Sequence, residues 1–191
     1  MKKKLSAKAI LIPTVSLFLI CLFVTALLAL TNNVTADKIT ENEENNKQAS
    51  MRTVLPDAAE FEEIEAEVLY LGKDKDGNPV GYAISTATQG YGGQVKVMTG
   101  IGTDGKIVGV DVFYNDDETP GLGKNTSNEA FRDQYKGLSV DKDIVVSKDN
   151  TAGNAQEVDA VTSATISSRA VTKAVNEACE KYREYTAKGA K

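Results

Sequence analysis

The feature that most constrains this chain is an apolar run near its amino end. From Ile10 to Leu30 no side chain is charged, and only Pro, Thr and Ser interrupt the apolar residues, at Pro13, Thr14, Ser16 and Thr25. A helix of this length is roughly 30 Å long, which matches the hydrocarbon core of a bilayer. The sequence therefore predicts one transmembrane helix over residues 10–30.

The charges that flank this run predict its orientation. Four lysines precede it, at Lys2, Lys3, Lys4 and Lys8. The positive-inside rule then places residues 1–9 in the cytoplasm and everything after Leu30 outside the cell membrane. The alternative is a cleaved signal peptide, with Val34-Thr35-Ala36 as a cleavage pattern, although its apolar region should have only about 7–15 residues. A lipoprotein signal fits less well, because Leu19 and Ile20 precede Cys21 where small residues are needed.

Composition excludes several classes of partner and chemistry. Beyond the four leading lysines the chain has 18 basic and 27 acidic residues, a net charge of −9. Such an acidic domain argues against nucleic acid as a partner. The chain has no histidine, so it lacks the most usual general base and the commonest metal ligand. Its two cysteines, Cys21 and Cys179, lie in separate predicted helices without metal-ligand spacing, and we predict no catalytic residue and no metal site.

The chain is predicted to have four parts. Residues 1–9 form the cytoplasmic amino terminus and 10–30 the transmembrane helix. Residues 31–51 are polar and rich in Asn and Glu, so they bury too little apolar surface to fold and form a tether. Residues 52–191 form the folded extracytoplasmic domain.

The folded part mixes strand and helix patterns. A short helix containing Phe61, Ile64 and Val68 is predicted to run into a first strand at 66–71, with a hairpin turn at 75–78. Three further strands are predicted at 80–88, 94–101 and 106–114, and a short one at 143–147. Helices are predicted at 128–135 and 165–185, the latter with an inner stripe at Ala170, Val171, Ala174, Val175, Ala178 and Cys179. The predicted fold class is α+β, an antiparallel sheet with packed helices.

Two loops hold more glycine than simple turns need. They are Gln89-Gly90-Tyr91-Gly92-Gly93 and Glu118-Thr119-Pro120-Gly121-Leu122-Gly123-Lys124. Neither matches a phosphate-binding loop, since Asn125 follows Lys124 where Ser or Thr is required. From the residues alone, these loops are either turns and bulges or the walls of a ligand site that needs close backbone approach.

A hydroxyl-rich turn precedes the last helix. Hydroxyl side chains occur at Thr162, Ser163, Thr165, Ser167 and Ser168, with Arg169 one turn later. The simplest interpretation is a helix cap, which needs one hydroxyl. The second is an anion site, because a helix amino terminus with nearby hydroxyls suits a phosphate.

The stretch from Asp159 to Thr165 resembles the flavinylation motif of an extracytoplasmic FMN-binding domain family. That motif has Asp, two variable positions, Ser or Thr, usually Gly, Ala and an acceptor Thr, and Ser163 here replaces the Gly. The two glycine loops, Met98-Thr99-Gly100 and Gly105-Lys106-Ile107 also resemble the G subunit of the Rnf electron-transport complex. The C subunit of the sodium-pumping quinone reductase represents a related family.

The resemblance implies FMN joined by its phosphate to Thr165 as a phosphoester. It implies that a separate flavin transferase recognises Asp159. The cofactor-binding residues implied with Thr165 are Thr162, Ser163, Ala164, Glu118, Thr119, Leu122, Gly123, Tyr91, Gly92 and Gly93. The loop from Glu118 to Gly123 is expected along the isoalloxazine ring, and Tyr91 to Gly93 on its other side.

The function implied by the resemblance is that of an electron carrier rather than an enzyme on its own. Its partners are then the membrane and iron–sulfur subunits of an Rnf ferredoxin:NAD oxidoreductase that drives Na⁺ or H⁺ transport. The alternative is a membrane-tethered flavoprotein for electron transfer or regulation outside that complex.

Overall fold

A computed structural model describes residues 7–147 and 155–189 of the chain. Three helices and seven strands lie within these ranges: α1 (Ala7–Val54), β1 (Glu60–Glu65), β2 (Leu69–Lys73), β3 (Pro79–Gln89), β4 (Gln94–Gly102), β5 (Ile107–Tyr114), α2 (Glu129–Arg132), β6 (Ile144–Val146), β7 (Gln156–Val158) and α3 (Thr165–Gly189). Short 3₁₀ turns occupy Gly123–Ser127 and Asp133–Tyr135.

Helix α1 contains the predicted transmembrane segment. Within the described ranges it is the one helix long and apolar enough to cross a bilayer, which is consistent with a single-pass anchor. The helix continues without a break to Val54, so the polar stretch 31–51 is helical although its composition predicted no fold. By their contacts, the residues divide into one unit over Met1–Glu44 and a second over Asn45–Lys191. The second unit therefore begins earlier than residue 52, and Ser50 and Met51 are buried in it.

The second unit is built on a five-stranded antiparallel sheet with the simple order β1-β2-β3-β4-β5. Strands β3 and β4 pair without interruption from Gly81–Gly102 to Gln89–Gln94. The turn between β2 and β3 is held by Asp74, whose carboxylate accepts the backbone N–H groups of Asp76 and Asn78 at 2.9 and 2.8 Å. The sheet confirms the predicted α+β class and the three predicted strands at 80–88, 94–101 and 106–114.

The predicted short helix around Phe61 and Ile64 is wrong, because these residues lie in strand β1. Their three-residue spacing suggested one helix face, but in a strand it places them on opposite faces. Phe61 packs with the cluster around Val54, and Ile64 packs with the larger core beneath α3. Because both faces of this sheet are covered, the strand shows no simple alternation of apolar and polar residues.

Helix α3 covers one face of the sheet at close range. Its predicted inner stripe is confirmed, since all six of those residues are buried. The alanines on this stripe let the helix approach the sheet closely enough for side chains of β3 to reach its backbone. Thr86 and Thr88 donate hydrogen bonds to the carbonyl oxygens of Ala174 and Ala170, at 3.0 and 2.8 Å.

The end of α1 covers the opposite face. Val54 is fully buried and belongs to a cluster with Met51, Leu55, Tyr70, Ala83 and Met98. Paired glycines in β4 and β5, Gly100 and Gly109, lie directly beneath Val54. A side chain at Gly100 would overlap the Val54 carbonyl, so the sequence needs glycine there to let the helix end settle on the sheet.

The chain reaches α3 through a second, smaller sheet. Strands β6 and β7 pair in parallel. Asn176 of α3 fixes the other edge of β6, since its side chain accepts the Ile144 N–H at 3.0 Å and donates to the Ile144 carbonyl at 2.8 Å. Strand β7 ends at Val158, and residues 159–164 then form the loop that leads into α3.

Candidate functional site

The loop before α3 is a tight turn that contains a strained residue. The Ala164 N–H donates to the Val161 carbonyl at 2.9 Å, and Ser163 has φ of 62°. This left-handed conformation is unfavourable for residues other than glycine, Asn and Asp. The turn therefore explains why the resembling motif usually has glycine where this chain has Ser163.

Of the five hydroxyls in this stretch, Thr162, Ser163 and Thr165 do not hold the turn. Ser168 does so instead, because its Oγ accepts the Val161 N–H at 3.0 Å and donates to the Ala164 carbonyl at 2.9 Å. Within the described residues, the hydroxyls of Thr162, Ser163 and Thr165 have no hydrogen-bond partner. The half-buried Thr165, the first residue of α3, thus has an uncommitted hydroxyl at a helix amino terminus.

Thr165 lines a cleft of about 580 Å³. This volume is typical of small-molecule sites. Three segments form its walls, namely the β3–β4 loop, the loop after β5 and the start of α3. The lining residues are Tyr91, Glu118, Thr119, Leu122, Gly123, Ser163, Ala164, Thr165, Ile166 and Ser167.

The rim of this cleft is apolar and open to solvent. Tyr91 is 69% exposed, Ile166 53% and Leu122 40%. Among the described residues of the second unit, the only other exposed large apolar side chain is Val108. Exposed apolar residues gathered around one cleft indicate a surface that is covered by a ligand or partner.

The floor of the cleft is organised by Glu118, which is only 2% exposed. Its Oε1 accepts the N–H groups of Tyr91 and Gly92 at 2.7 and 3.3 Å. Its Oε2 accepts the hydroxyl of Ser167 at 2.6 Å. One buried carboxylate therefore ties together all three segments that form the cleft, using charge-assisted hydrogen bonds.

The glycines of both loops are needed for close packing around this carboxylate. A side chain at Gly90 or Gly123 would overlap the Glu118 carboxylate, and one at Gly92 would overlap the Asp117 carbonyl. A side chain at Gly93 would meet the Asp117 side chain. The two glycine loops therefore serve as packing elements as well as walls of a site.

The structure brings most of the predicted site residues together. Eight of them line the cleft, namely Thr165, Ser163, Ala164, Glu118, Thr119, Leu122, Gly123 and Tyr91. Gly92 and Gly93 pack against Asp117 and are not among the lining residues, and Thr162 and Asp159 line a neighbouring groove that shares Leu122 and Ser163. Arg169 lines a different groove beside β6, so the predicted cation is not among the residues of the cleft.

Sequence reasoning missed two lining residues, Ile166 and Ser167. Ile166 has a usable signal, because it is a large apolar residue outside the inner stripe of α3. Ser167 is one of several hydroxyls in the turn, and nothing in the local sequence distinguishes it from the others. Its bond to Glu118 joins positions 49 residues apart, and no local pattern indicates such a contact.

The cleft fits a flat aromatic cofactor with a phosphate. The apolar rim suits an aromatic ring system, and the amino terminus of α3 suits a phosphate because its first N–H groups lack intrahelical partners. Among the described residues that line the cleft, Glu118 alone is charged, and both of its oxygens already accept protein donors. FMN has both an aromatic ring system and a phosphate, so the residues present fit it.

Comparison with known proteins assigns the family. A family model for the FMN-binding domain matches residues 90–180, and one for the RnfG N-terminal region matches residues 1–54. The chain is 37% identical to the G subunit of the Na⁺-translocating ferredoxin:NAD⁺ oxidoreductase complex of Acetobacterium woodii, covering 87% of this chain and 88% of the relative. It is 31% identical to the G subunit of the proton-translocating ferredoxin:NAD⁺ oxidoreductase complex of Clostridium ljungdahlii, covering 91% of this chain and 89% of the relative.

A solved structure with a similar fold is the C subunit of the Na⁺-translocating NADH-quinone reductase of Parabacteroides distasonis. It superposes with a TM-score of 0.59 at 18% identity and covers 77% of this chain and 94% of that protein. This similarity concerns the fold, whereas the two family matches and the RnfG relatives establish the family. The chain belongs to the RnfG family of ion-translocating oxidoreductase complexes and contains an FMN-binding domain.

Proposed function

We propose that this protein carries FMN covalently through Thr165 and serves as an electron carrier of an Rnf complex. The observation that carries the attachment site is the half-buried Thr165 hydroxyl, which has no partner among the described residues and lies in the cleft at the start of α3. A covalent bond also suits a domain outside the cell, where a dissociable cofactor would be lost by dilution.

Attachment requires a second protein. The Thr165 Oγ1 attacks the phosphorus next to the riboflavin moiety of FAD, a new P–O bond forms, and the pyrophosphate P–O bond breaks to release AMP. The threonine proton must go to a base, because a neutral hydroxyl is a weak nucleophile. No described residue that lines the cleft is positioned to be that base, since Glu118 is already bonded to Ser167 and to two backbone N–H groups. We therefore assign the base, with Mg²⁺, to a flavin transferase.

The residues of the cleft then hold and orient the cofactor. The amino terminus of α3 stabilises the remaining phosphate charge. Tyr91, Leu122 and Ile166 cover the isoalloxazine ring of FMN. Glu118 fixes the two loops that carry Tyr91 and Leu122. Bound FMN supplies one- and two-electron transfer, while the protein sets its position and environment.

The role in a membrane complex is inferred from the family. The relatives named above belong to complexes that translocate Na⁺ or protons with ferredoxin and NAD⁺. We place the domain 45–191 outside the cell membrane, with residues 1–9 in the cytoplasm, because four lysines precede the apolar run. In this position the protein relays electrons among the membrane and iron–sulfur subunits.

The attachment site is tested on denaturing gels after co-expression with a flavin transferase. The wild-type band should fluoresce, and Thr165→Ala should abolish that fluorescence because it removes the only proposed acceptor oxygen. Thr103→Ala is the control, since Thr103 is an exposed threonine between β4 and β5 that lies outside both the cleft and the Asp159–Thr165 motif. A wild-type band without fluorescence, or a fluorescent Thr165→Ala band, contradicts the proposal.

Membership of a complex is tested separately by affinity purification from membranes of the native host. The tagged protein should retain integral membrane and iron–sulfur subunits in mild detergent. Consistent purification of the fluorescent protein alone would exclude the complex while leaving the attachment site intact.

A further inference from the structure

Gln134 makes two hydrogen bonds to the predicted recognition residue, Asp159. Its side-chain oxygen accepts the Asp159 N–H at 2.6 Å, and its side-chain nitrogen donates to the Asp159 carbonyl at 3.3 Å. The side-chain amide thus pairs with both backbone groups of one residue, as a neighbouring strand would. This contact fixes the backbone at the first residue of the acceptor motif.

Gln134 is itself held by the helix that carries Thr165. It lies in the 3₁₀ turn Asp133–Tyr135, and the next residue, Tyr135, is completely buried. The Tyr135 hydroxyl and the Thr172 hydroxyl of α3 are hydrogen-bonded at 2.8 Å. Position 159 is therefore fixed relative to α3 through the core, independently of the loop that joins it to Thr165.

The loop between these two residues is fixed at its other end by Ser168, through Val161 and Ala164. The Asp159 side chain is meanwhile exposed, and one of its oxygens accepts the Ser147 hydroxyl at 3.0 Å. The recognition carboxylate and the acceptor hydroxyl are thus presented on a loop that is held at both ends before any partner binds. A preformed loop spares the conformational entropy that ordering it on binding would cost.

We propose that Gln134 is a positioning residue for flavin transfer, which holds Asp159 at a fixed separation from Thr165 for the transferase. This inference rests on the proposed function, because it needs Thr165 to be the acceptor. A transferase that binds Asp159 while it delivers a phosphoryl group to Thr165 requires a set distance between the two. Misplacement of reacting groups by about 1 Å can cost about a hundredfold in rate.

The chain offers a matched control at Asn176. Its side chain makes the same pair of bonds to the backbone of Ile144, and both amide side chains are half-buried. Asn176→Ala therefore removes an equivalent contact away from the motif. The experiment compares Gln134→Ala, Asn176→Ala and wild-type full-length protein, purified without flavin, in a reaction with transferase, FAD and Mg²⁺. Initial rates of covalent fluorescence and melting temperatures are measured for each.

We expect Gln134→Ala to reduce kcat/KM for transfer by about tenfold or more, since it removes two hydrogen bonds that hold the motif. Asn176→Ala should retain the wild-type rate despite a similar loss in melting temperature. Gln134→Glu, which keeps the acceptor for the Asp159 N–H, should be intermediate and serves if Gln134→Ala does not fold.

A double-mutant cycle tests whether Gln134 acts through Asp159. In an Asp159→Ala background, Gln134→Ala should cost little more, because the group that it positions is gone. Equal rates for wild type and Gln134→Ala, equal slowing by Asn176→Ala, or additive effects with Asp159→Ala each overturn the inference while leaving attachment at Thr165 intact. A wild-type protein that accepts no flavin instead overturns the proposed function, and this inference with it.

Discussion

At the scale of single residues, Ser163 has a strained backbone conformation within the turn that precedes α3. Its φ of 62° is required by the turn that delivers the chain to the start of α3. Glycine at this position removes the steric penalty but raises the entropy of the unfolded chain. The outcome depends on which of these two terms is larger, and the αL penalty of about 1–2 kcal/mol exceeds the entropy term.

We therefore expect Ser163→Gly to stabilise the protein by about 0.5–1 kcal/mol. Thr162→Gly is the control, because Thr162 is exposed in the same turn without a positive φ, and it should be destabilising. Urea unfolding of fragment 45–191 measures both. A loss of stability in Ser163→Gly equal to that in Thr162→Gly would contradict this account.

Glu118 is the residue on which the shape of the cleft depends. Its removal in Glu118→Ala leaves the buried Ser167 hydroxyl and the part-buried N–H groups of Tyr91 and Gly92 without this acceptor. We expect a loss of about 3 kcal/mol, since each unsatisfied buried group costs about 1–3 kcal/mol. Glu118→Gln keeps one acceptor oxygen and should cost about 1 kcal/mol.

The control for Glu118 is Asp116, a nearby carboxylate whose side chain is 77% exposed and pairs with Lys124 at 3.3 Å. Because exposed ion pairs contribute about 0–1 kcal/mol, Asp116→Ala should change the free energy of unfolding little. If Glu118→Ala were no more destabilising than Asp116→Ala, the carboxylate would not organise the cleft.

At the scale of elements, the close approach of helices to the sheet depends on small residues on both faces. Alanines of α3 bring its backbone within reach of Thr86 and Thr88. Glycines of β4 and β5 make room for Val54 on the other face. These positions fix the distance between layers, and through it the position of the α3 amino terminus beside the loops of the sheet.

We expect Gly100→Ala to destabilise the domain by about 2 kcal/mol or more, because the new methyl group would overlap the Val54 carbonyl and overpacking of this kind costs about 1–3 kcal/mol. Gly109→Ala should cost less, since its added carbon would lie 3.3 Å from the nearest Val54 atom. Thermal unfolding compares the two variants. Equal destabilisation would show that strand propensity, rather than the contact with Val54, sets the cost.

At the scale of the whole molecule, the end of α1 belongs to the folded domain. Ser50 and Met51 are 1% and 7% exposed, although they fall in the stretch that composition predicted to be a tether. The domain boundary is thus set by which residues pack on the sheet. The polarity of the preceding residues does not indicate this boundary.

Fragment 45–191 should therefore fold cooperatively, whereas fragment 52–191 should be less stable by about 2–4 kcal/mol, because it loses the buried Met51. Circular dichroism during urea unfolding measures both fragments. Identical midpoints would place the boundary at residue 52, as composition alone predicted.

The sequence predicted the fold class, the central strands, the inner stripe of α3 and the grouping of most residues now found in the cleft. The predictions of the fold rested on periodicity, which local backbone geometry determines. The grouping of the cleft residues rested on the resemblance to the FMN-binding family. The helix predicted at Phe61 and Ile64 was wrong because periodicity was misleading there. The two residues pack on opposite covered faces of the sheet. That arrangement can be recognised only when the helices on both faces are known.

The amino-acid sequence was sufficient to establish one apolar segment long enough to span a bilayer, an acidic domain without histidine, and a hydroxyl-rich turn before the last helix. These properties depend on composition and local order. The folded structure was needed to show that Ser168 holds the turn, that Glu118 joins three segments, and that Gln134 fixes Asp159. Each of these contacts joins side chains to partners in other parts of the fold, so it exists only after the sheet and α3 have packed together.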